Sequence, residues 1–207
     1  MRATEILTAS KNYCESLIKQ NICNDLPFHN WQHTQEVYQS VRELGSLENL
    51  NYDDMLVVSI AAYFHDVGQI KGPSGHEDRS AHCARNFLQA LDVRYDIIEE
   101  VSQTIKATSL LEKPDNKVQQ ILRDADLAHL GLASFKSKNE KLREEWKLLG
   151  LLSCDDLDWV QLNIEFLIEH HYFTQSAKQL FLAKKNDNLK DLYRLKEQLE
   201  NNFKKAN

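Results

Sequence analysis

The stretch that most constrains this chain is the apolar run from Met55 to Phe64, which delivers His65 and Asp66 side by side and is stopped by Gly68. A helix is expected to start here at Asn51 or Tyr52, with Asp53 and Asp54 in its first turn, where carboxylates suit the helix dipole. Val57, Val58, Ile60, Ala61, Ala62 and Phe64 make this helix apolar on most sides, so it has to be central to the fold. Polar side chains at the end of a buried helix are costly unless something satisfies them. Imidazole and carboxylate are both good ligands for divalent metals, so a cation is one way to satisfy them. A His-Asp dipeptide also arises by chance, and the reading depends on partners elsewhere in the chain.

The 207 residues suit one domain, or one domain with an appendage. With only 6 Gly and 3 Pro, long uninterrupted helices are expected, and no strand-like alternation is visible. The net charge of -6 argues against a nucleic-acid backbone binder, which is usually basic. A small anionic ligand stays compatible if a metal or local positive charge offsets the field. No apolar run is long enough for a membrane span. Cys14, Cys23, Cys83 and Cys154 show no C-x-x-C spacing, and the start of the chain lacks the apolar core of a secretory signal. These features predict a reduced, cytoplasmic protein whose cysteines are mostly small core residues.

A first helix is expected over residues 1–20, with Ile6, Tyr13, Leu17 and Cys14 at roughly helical spacing. Asn30 is placed to cap a second helix ending at Gly45, on which His33, Val37, Val41 and Leu44 share one face. His33 therefore points towards the core, where a hydrogen-bonded core histidine is the plain alternative to a ligand. Residues 69–75 read as a loop. A fourth helix follows from His76 to about Leu91, with Ala81, Ala84, Phe87 and Leu88 inward and His76, Glu77, Asp78 and Arg79 at its first turn. That cluster is either a solvated helix start or the rim of a site. A fifth helix covers about Arg94 to Thr108, and a sixth, capped by Asn116 or Asp115, reads through to Gly131. Asp124 and Asp126 on it point about 200° apart, so at most one reaches a given metal, and spacing alone does not choose. A charged helix, or a loop followed by one, is expected from about Phe135 to Leu149, and another helix from Asp155-Asp156. A last segment runs from Thr174 towards Lys204, with a break near Asn186-Asp187-Asn188. His170 and His171 read as a helix end.

The order His33, then His65-Asp66, then an Asp in Ala125-Asp126-Leu127 resembles the HD superfamily of metal-dependent phosphohydrolases, whose signature is H…HD…D. The segments Phe28-His29-Asn30-Trp31-Gln32-His33-Thr34, Ala62-Tyr63-Phe64-His65-Asp66-Val67-Gly68, His76-Glu77-Asp78-Arg79-Ser80-Ala81 and Asp124-Ala125-Asp126-Leu127 are similar to four ordered elements of that family. The resemblance covers roughly residues 26–135.

It implies an all-α fold: an HD-type helical bundle over residues 1–150, with its core at about 26–135, and additional C-terminal helices over 151–207. It implies His33, His65, Asp66 and Asp126 as metal ligands, with Asp124 as fallback or as a partner orienting a ligand. The ion expected is Mn, Fe, Ni, Co, Zn or Mg, with imidazole ligation arguing against a site for Mg alone. A second ion would draw on His76 or, less well placed, His82. Asp66 is expected to hold or bridge the attacking water, and His76 and Glu77 to act at the pocket edge. Lys71, Arg79 and Lys106 are candidates for steadying substrate phosphates, each with the plain alternative of a surface cation. The implied activity is hydrolysis of a phosphate ester of a nucleotide or another small phosphorylated metabolite. Two alternatives stand beside it: a non-catalytic, metal-retaining ligand-sensing module, and an HD-type di-iron oxygenase, which needs additional histidines.

Overall fold

The computed structural model describes residues 2–206. Among the described residues there are nine α-helices joined by short 3-10 turns, with no strand. The chain forms two compact units, Met1–Leu127 and Ala128–Asn207. The first unit ends at the start of a 3-10 turn, Leu127–Gly131. No helix among the described residues is long and apolar enough to cross a membrane.

The first unit holds α1 (Ala3–Lys19), α2 (Trp31–Leu47), α3 (Tyr52–Phe64), α4 (His76–Ala90), α5 (Tyr95–Lys106) and α6 (Lys117–Asp126). As its composition requires, α3 is central and packs on the other five helices. Every residue from Val57 to Phe64 is buried. Burying a side chain such as Ile60 or Phe64 is worth about 1.5–3 kcal/mol, so this one helix anchors the unit. Asn30, Asn51 and Asn116 cap α2, α3 and α6, each accepting backbone N–H bonds through its side chain.

Four details depart from the expectations. On α1 the buried stripe is Ile6, Ser10, Cys14 and Ile18, so Tyr13 lies at its edge and stacks on the half-buried Phe87 with ring centroids 4.3 Å apart. α2 does not stop at Gly45 but continues to Leu47. Gly45 lies close under the flexible end of the Met55 side chain of α3, with Met55 Cε 2.6 Å from where a Cβ would stand. The loop expected over 69–75 is partly a 3-10 turn, Val67–Lys71, and Gly72 and Gly75 take positive φ after it. α6 ends at Asp126, with the 3-10 turn carrying the chain on to Gly131.

The second unit holds α7 (Phe135–Leu148), α8 (Asp156–Glu169) and α9 (Gln175–Ala206). α8 is capped by Asp155 and packs against α9. Asn139 of α7 accepts from the Trp159 indole at 2.8 Å and donates to Asn163, tying α7 to α8. The break expected near Asn186-Asp187-Asn188 is absent, and α9 is one continuous helix of 32 residues. Asn188 is buried there, donating to the Leu130 and Leu132 carbonyls at 2.9 and 3.0 Å. Among the described residues all four cysteines are free thiols, Cys14 and Cys23 buried and Cys83 and Cys154 half-buried.

Candidate metal centre

Three helix ends bring the polar residues of the first unit together. The Asn30 side chain accepts from the backbone N–H groups of Gln32 and His33, so the α2 cap also fixes the turn that carries His33. His33 is buried, and Val37, Val41 and Leu44, on the same helix face, are buried with it. His65 and Asp66 follow α3 directly, at 1% and 7% exposure. The His65 Nδ1 lies 2.9 Å from the Ala62 carbonyl oxygen. Donating there, it leaves the Nε2 lone pair facing the cluster, the usual arrangement of a metal-ligating histidine. Asp126 is the last residue of α6.

Ligand atoms of His33, His65 and Asp66 all lie within 4.8 Å of one another. His65 Nε2 is 3.1 Å from Asp66 Oδ2, and His33 Nε2 is 3.5 Å from that same oxygen. Asp126 Oδ1 lies 3.1 Å from His33 Nε2 and 3.5 Å from His65 Nε2. Two ligands about 2.1 Å from a common ion are about 3.0–3.4 Å apart at octahedral or tetrahedral angles, and the observed separations fall close to that spacing. His65 Nε2 and Asp66 Oδ2, though near each other, are both buried atoms that form no hydrogen bond. They aim at shared space rather than at each other. Orphaned buried polar atoms of this kind are expensive, and a divalent cation among them removes the cost. The nitrogen and carboxylate donor set thus fits a divalent metal, without selecting one.

The electrostatics agree. Burial would push His65 down, but the Asp66 and Asp126 carboxylates outweigh it and hold the imidazole well above its ordinary value. Burial would push Asp66 up, yet His65 and His76 bring it well below the carboxylate range. Asp126, against the same burial, is lowered by His33 and His65. Without an ion, protons must supply the positive charge that these carboxylates demand.

Around this cluster the sequence-predicted residues fare differently. His76 joins it, with Nε2 3.2 Å from Asp66 Oδ1 and Nδ1 2.8 Å from the Pro73 carbonyl. Burial opposes its protonation and Asp66 favours it, leaving His76 raised. Glu77 Oε2 lies 3.4 Å from His76 Nδ1. His82 is exposed and paired with Asn86 on α4. Asp124 is fully buried, whereas Asp126 is the member of the pair in contact with both imidazoles. Arg79 donates to the carbonyls of Gly68, Ser74 and Gly72, bracing the turn between α3 and α4. Lys106 is paired with Asp78 at 2.9 Å on the surface. Lys71 is exposed and, with Arg79 and His82, lines a shallow cavity of about 390 Å³ over Val67, Ile70 and Cys83. Two residues escaped the sequence reading. His29 stands edge-on to His33 at 5.8 Å between ring centroids. Arg123, 5% exposed, lies one turn before Asp126. Its charged type, at i, i+3 from a candidate ligand, is the signal that could have found it.

Residues 30–131 match the HD domain family, a span that contains every residue of the cluster. Three solved structures share the fold over nearly their whole length. The Lin1889 protein of Listeria innocua is 18% identical with a TM-score of 0.70, covering 97% of this chain and 98% of its own. A Lactobacillus plantarum protein is 17% identical with a TM-score of 0.66, covering 96% of each chain. A protein from an uncultured Thermotogales bacterium, described as a predicted HD superfamily hydrolase, is 18% identical with a TM-score of 0.58, covering 98% of this chain and 99% of its own. No curated protein matches the chain in sequence. The all-helical architecture and the match across α2 to α6 make the same assignment: the chain is an HD domain protein.

Proposed function

We propose that this protein is a divalent-metal-dependent phosphohydrolase cleaving a phosphate ester of a nucleotide or another small phosphorylated metabolite. The observation that carries this reading is the convergence of His33, His65 and Asp66 ligand atoms, two of them buried and unbonded, with Asp126 against both imidazoles. His33, His65, Asp66 and Asp126 would hold the ion. When bound, it would polarise a phosphoryl oxygen and supply hydroxide near neutral pH.

The chain's own residues do the rest. The Ala62 carbonyl sets the His65 tautomer, and the Asn30 cap sets the α2 turn that aims His33. Asp66 faces the two imidazoles through Oδ2 and His76 through Oδ1, so His76 Nε2 and Asp66 Oδ1 form a pair able to hold a proton beside the reacting centre. Glu77 and the Pro73 carbonyl fix the other side of the His76 ring. Of the two further histidines that the di-iron alternative would recruit, His76 lies against Asp66 but His82 is bonded to Asn86 in an exposed position, and the lack of the second favours hydrolysis over oxidation.

The test is a panel of nucleoside phosphates and sugar phosphates, offered to protein loaded with manganese, iron, nickel, cobalt, zinc or magnesium in turn. Turnover of one class, abolished by exhaustive chelation and restored by a divalent ion, is expected. Fully loaded protein that leaves every ester intact would refute the hydrolase and favour a metal-retaining sensing module.

A further inference from the structure

Arg123 is a buried cation whose guanidinium, among the described residues, is bonded to backbone carbonyls. Its Nη1 donates to the Thr108 carbonyl at 2.5 Å and its Nη2 to the Glu112 carbonyl at 3.0 Å. These bonds fasten the segment between α5 and α6 to the last turns of α6. Its remaining N–H groups, Nε–H included, have no protein acceptor among the described residues. The residue as a whole is 5% exposed. A buried guanidinium with unused donors is costly unless an anion completes it.

Its position says which anion. Arg123 precedes Asp126 by three residues on α6, and residues three apart share a helix face. The face that carries Asp126 to His33 and His65 therefore carries Arg123 one turn earlier. Its electrostatic neighbours outline the same place: burial lowers its proton affinity, and Asp126, Glu77 and Asp124 act against that. Asp126 touches the metal cluster, and Glu77 touches His76. The other candidate cations are occupied or remote from burial. Arg79 is bonded to three carbonyls, Lys106 is paired with Asp78, and Lys71 is exposed.

We propose that Arg123 is the residue of this site that binds a phosphoryl oxygen of the substrate, with its two carbonyl bonds holding the guanidinium plane fixed for that contact. The inference rests on the phosphohydrolase reading for the class of ligand, and deepens it by naming the cation. A planar guanidinium donates to a phosphate in parallel N–H bonds, which an ammonium cannot copy.

Inorganic phosphate, titrated calorimetrically into manganese-loaded protein, tests it. The wild type binds phosphate; Arg123→Ala weakens that binding by about 10–100-fold, the effect of losing one charge-assisted contact. Should the alanine variant fail to fold, Arg123→Lys carries the test. The lysine variant is expected to lose about tenfold in phosphate affinity, with its manganese content and circular dichroism unchanged. A folded, metal-loaded variant that binds phosphate as tightly as wild type overturns the proposal, and so does a wild type that binds none. Ester turnover is measured separately. Arg123-dependent phosphate binding without turnover sinks the hydrolase and keeps this site; turnover with an unchanged KM in Arg123→Lys does the reverse.

Discussion

Met1–Leu127 and Ala128–Asn207 both bury polar side chains, and particular residues of the two units meet different ends. In the second unit Asn163 donates to the Trp159 carbonyl, Asn188 to those of Leu130 and Leu132, and Lys185 to that of His170. Each serves to close a backbone group, and the result is a scaffold of long helices. In the first unit the ring nitrogen of His65 and a carboxylate oxygen of Asp66 lie 3.1 Å apart, both buried and without a hydrogen bond. Polar groups that a fold satisfies by itself contribute to its stability. Those it gathers and leaves open mark where something else is to bind.

The sharpest way to break this contrast is to remove a ligand. His65→Ala or Asp66→Ala should lower divalent-metal affinity by at least about 100-fold and abolish turnover. His171→Ala in the second unit should change neither, as read by metal analysis after dialysis. Metal stoichiometry that survives both first-unit substitutions would remove the site.

Next comes the choice within α6. Asp126→Ala should cost about 10–100-fold in metal affinity. Asp124→Ala should cost less metal and act mainly on stability, since Asp124 is fully buried. The opposite ranking in a manganese titration would move the ligand to Asp124.

A matched pair of glycines separates packing from binding. A Cβ on Gly68 would collide with the His76 carbonyl, and one on Gly131 with the Phe181 backbone and Cβ. Gly68→Ala and Gly131→Ala should each lose about 1–3 kcal/mol in urea unfolding. Only the first should also weaken metal binding, because it displaces the turn that follows Asp66. Equal metal affinities in the two variants would mean that this turn does not position the cluster.

The smallest effect is expected at the helix caps. Asn30→Ala and Asp155→Ala should each cost about 1 kcal/mol. The Asn30 substitution alone should also reduce metal affinity, since it releases the turn bearing His33. Identical metal titrations for the two variants would show that the cap serves α2 and not the site.

Much of the first unit was readable from local chemistry. The apolar run of α3 could only be central, the caps at Asn30, Asn51 and Asn116 are asparagines ahead of periodic segments, and His33 shares a face with Val37, Val41 and Leu44. What escaped depends on contacts far apart in sequence. Gly45 looked like a helix stop because its close neighbour, the Met55 side chain, lies on another helix. Asn186-Asp187-Asn188 looked like a break because the carbonyls that receive Asn188 belong to Leu130 and Leu132. Asp124 and Asp126 were indistinguishable by spacing; the position of α2 and α3 relative to the end of α6 separates them. Arg79 and Arg123 carry the same charge in sequence, and only the carbonyls around each show which has donors to spare.

With the proposed cation bound, the bond from the His65 ring to the Ala62 carbonyl would link occupancy to the order of a single helical turn. If the end of α3 frays, that carbonyl swings away and the imidazole loses its preferred hydrogen placement, although no coordinating atom has been altered. Affinity for the cation then becomes a reporter of how well the C-terminal turn of α3 is wound. Any partner or solvent condition that tightens that turn would then favour loading of the proposed ion.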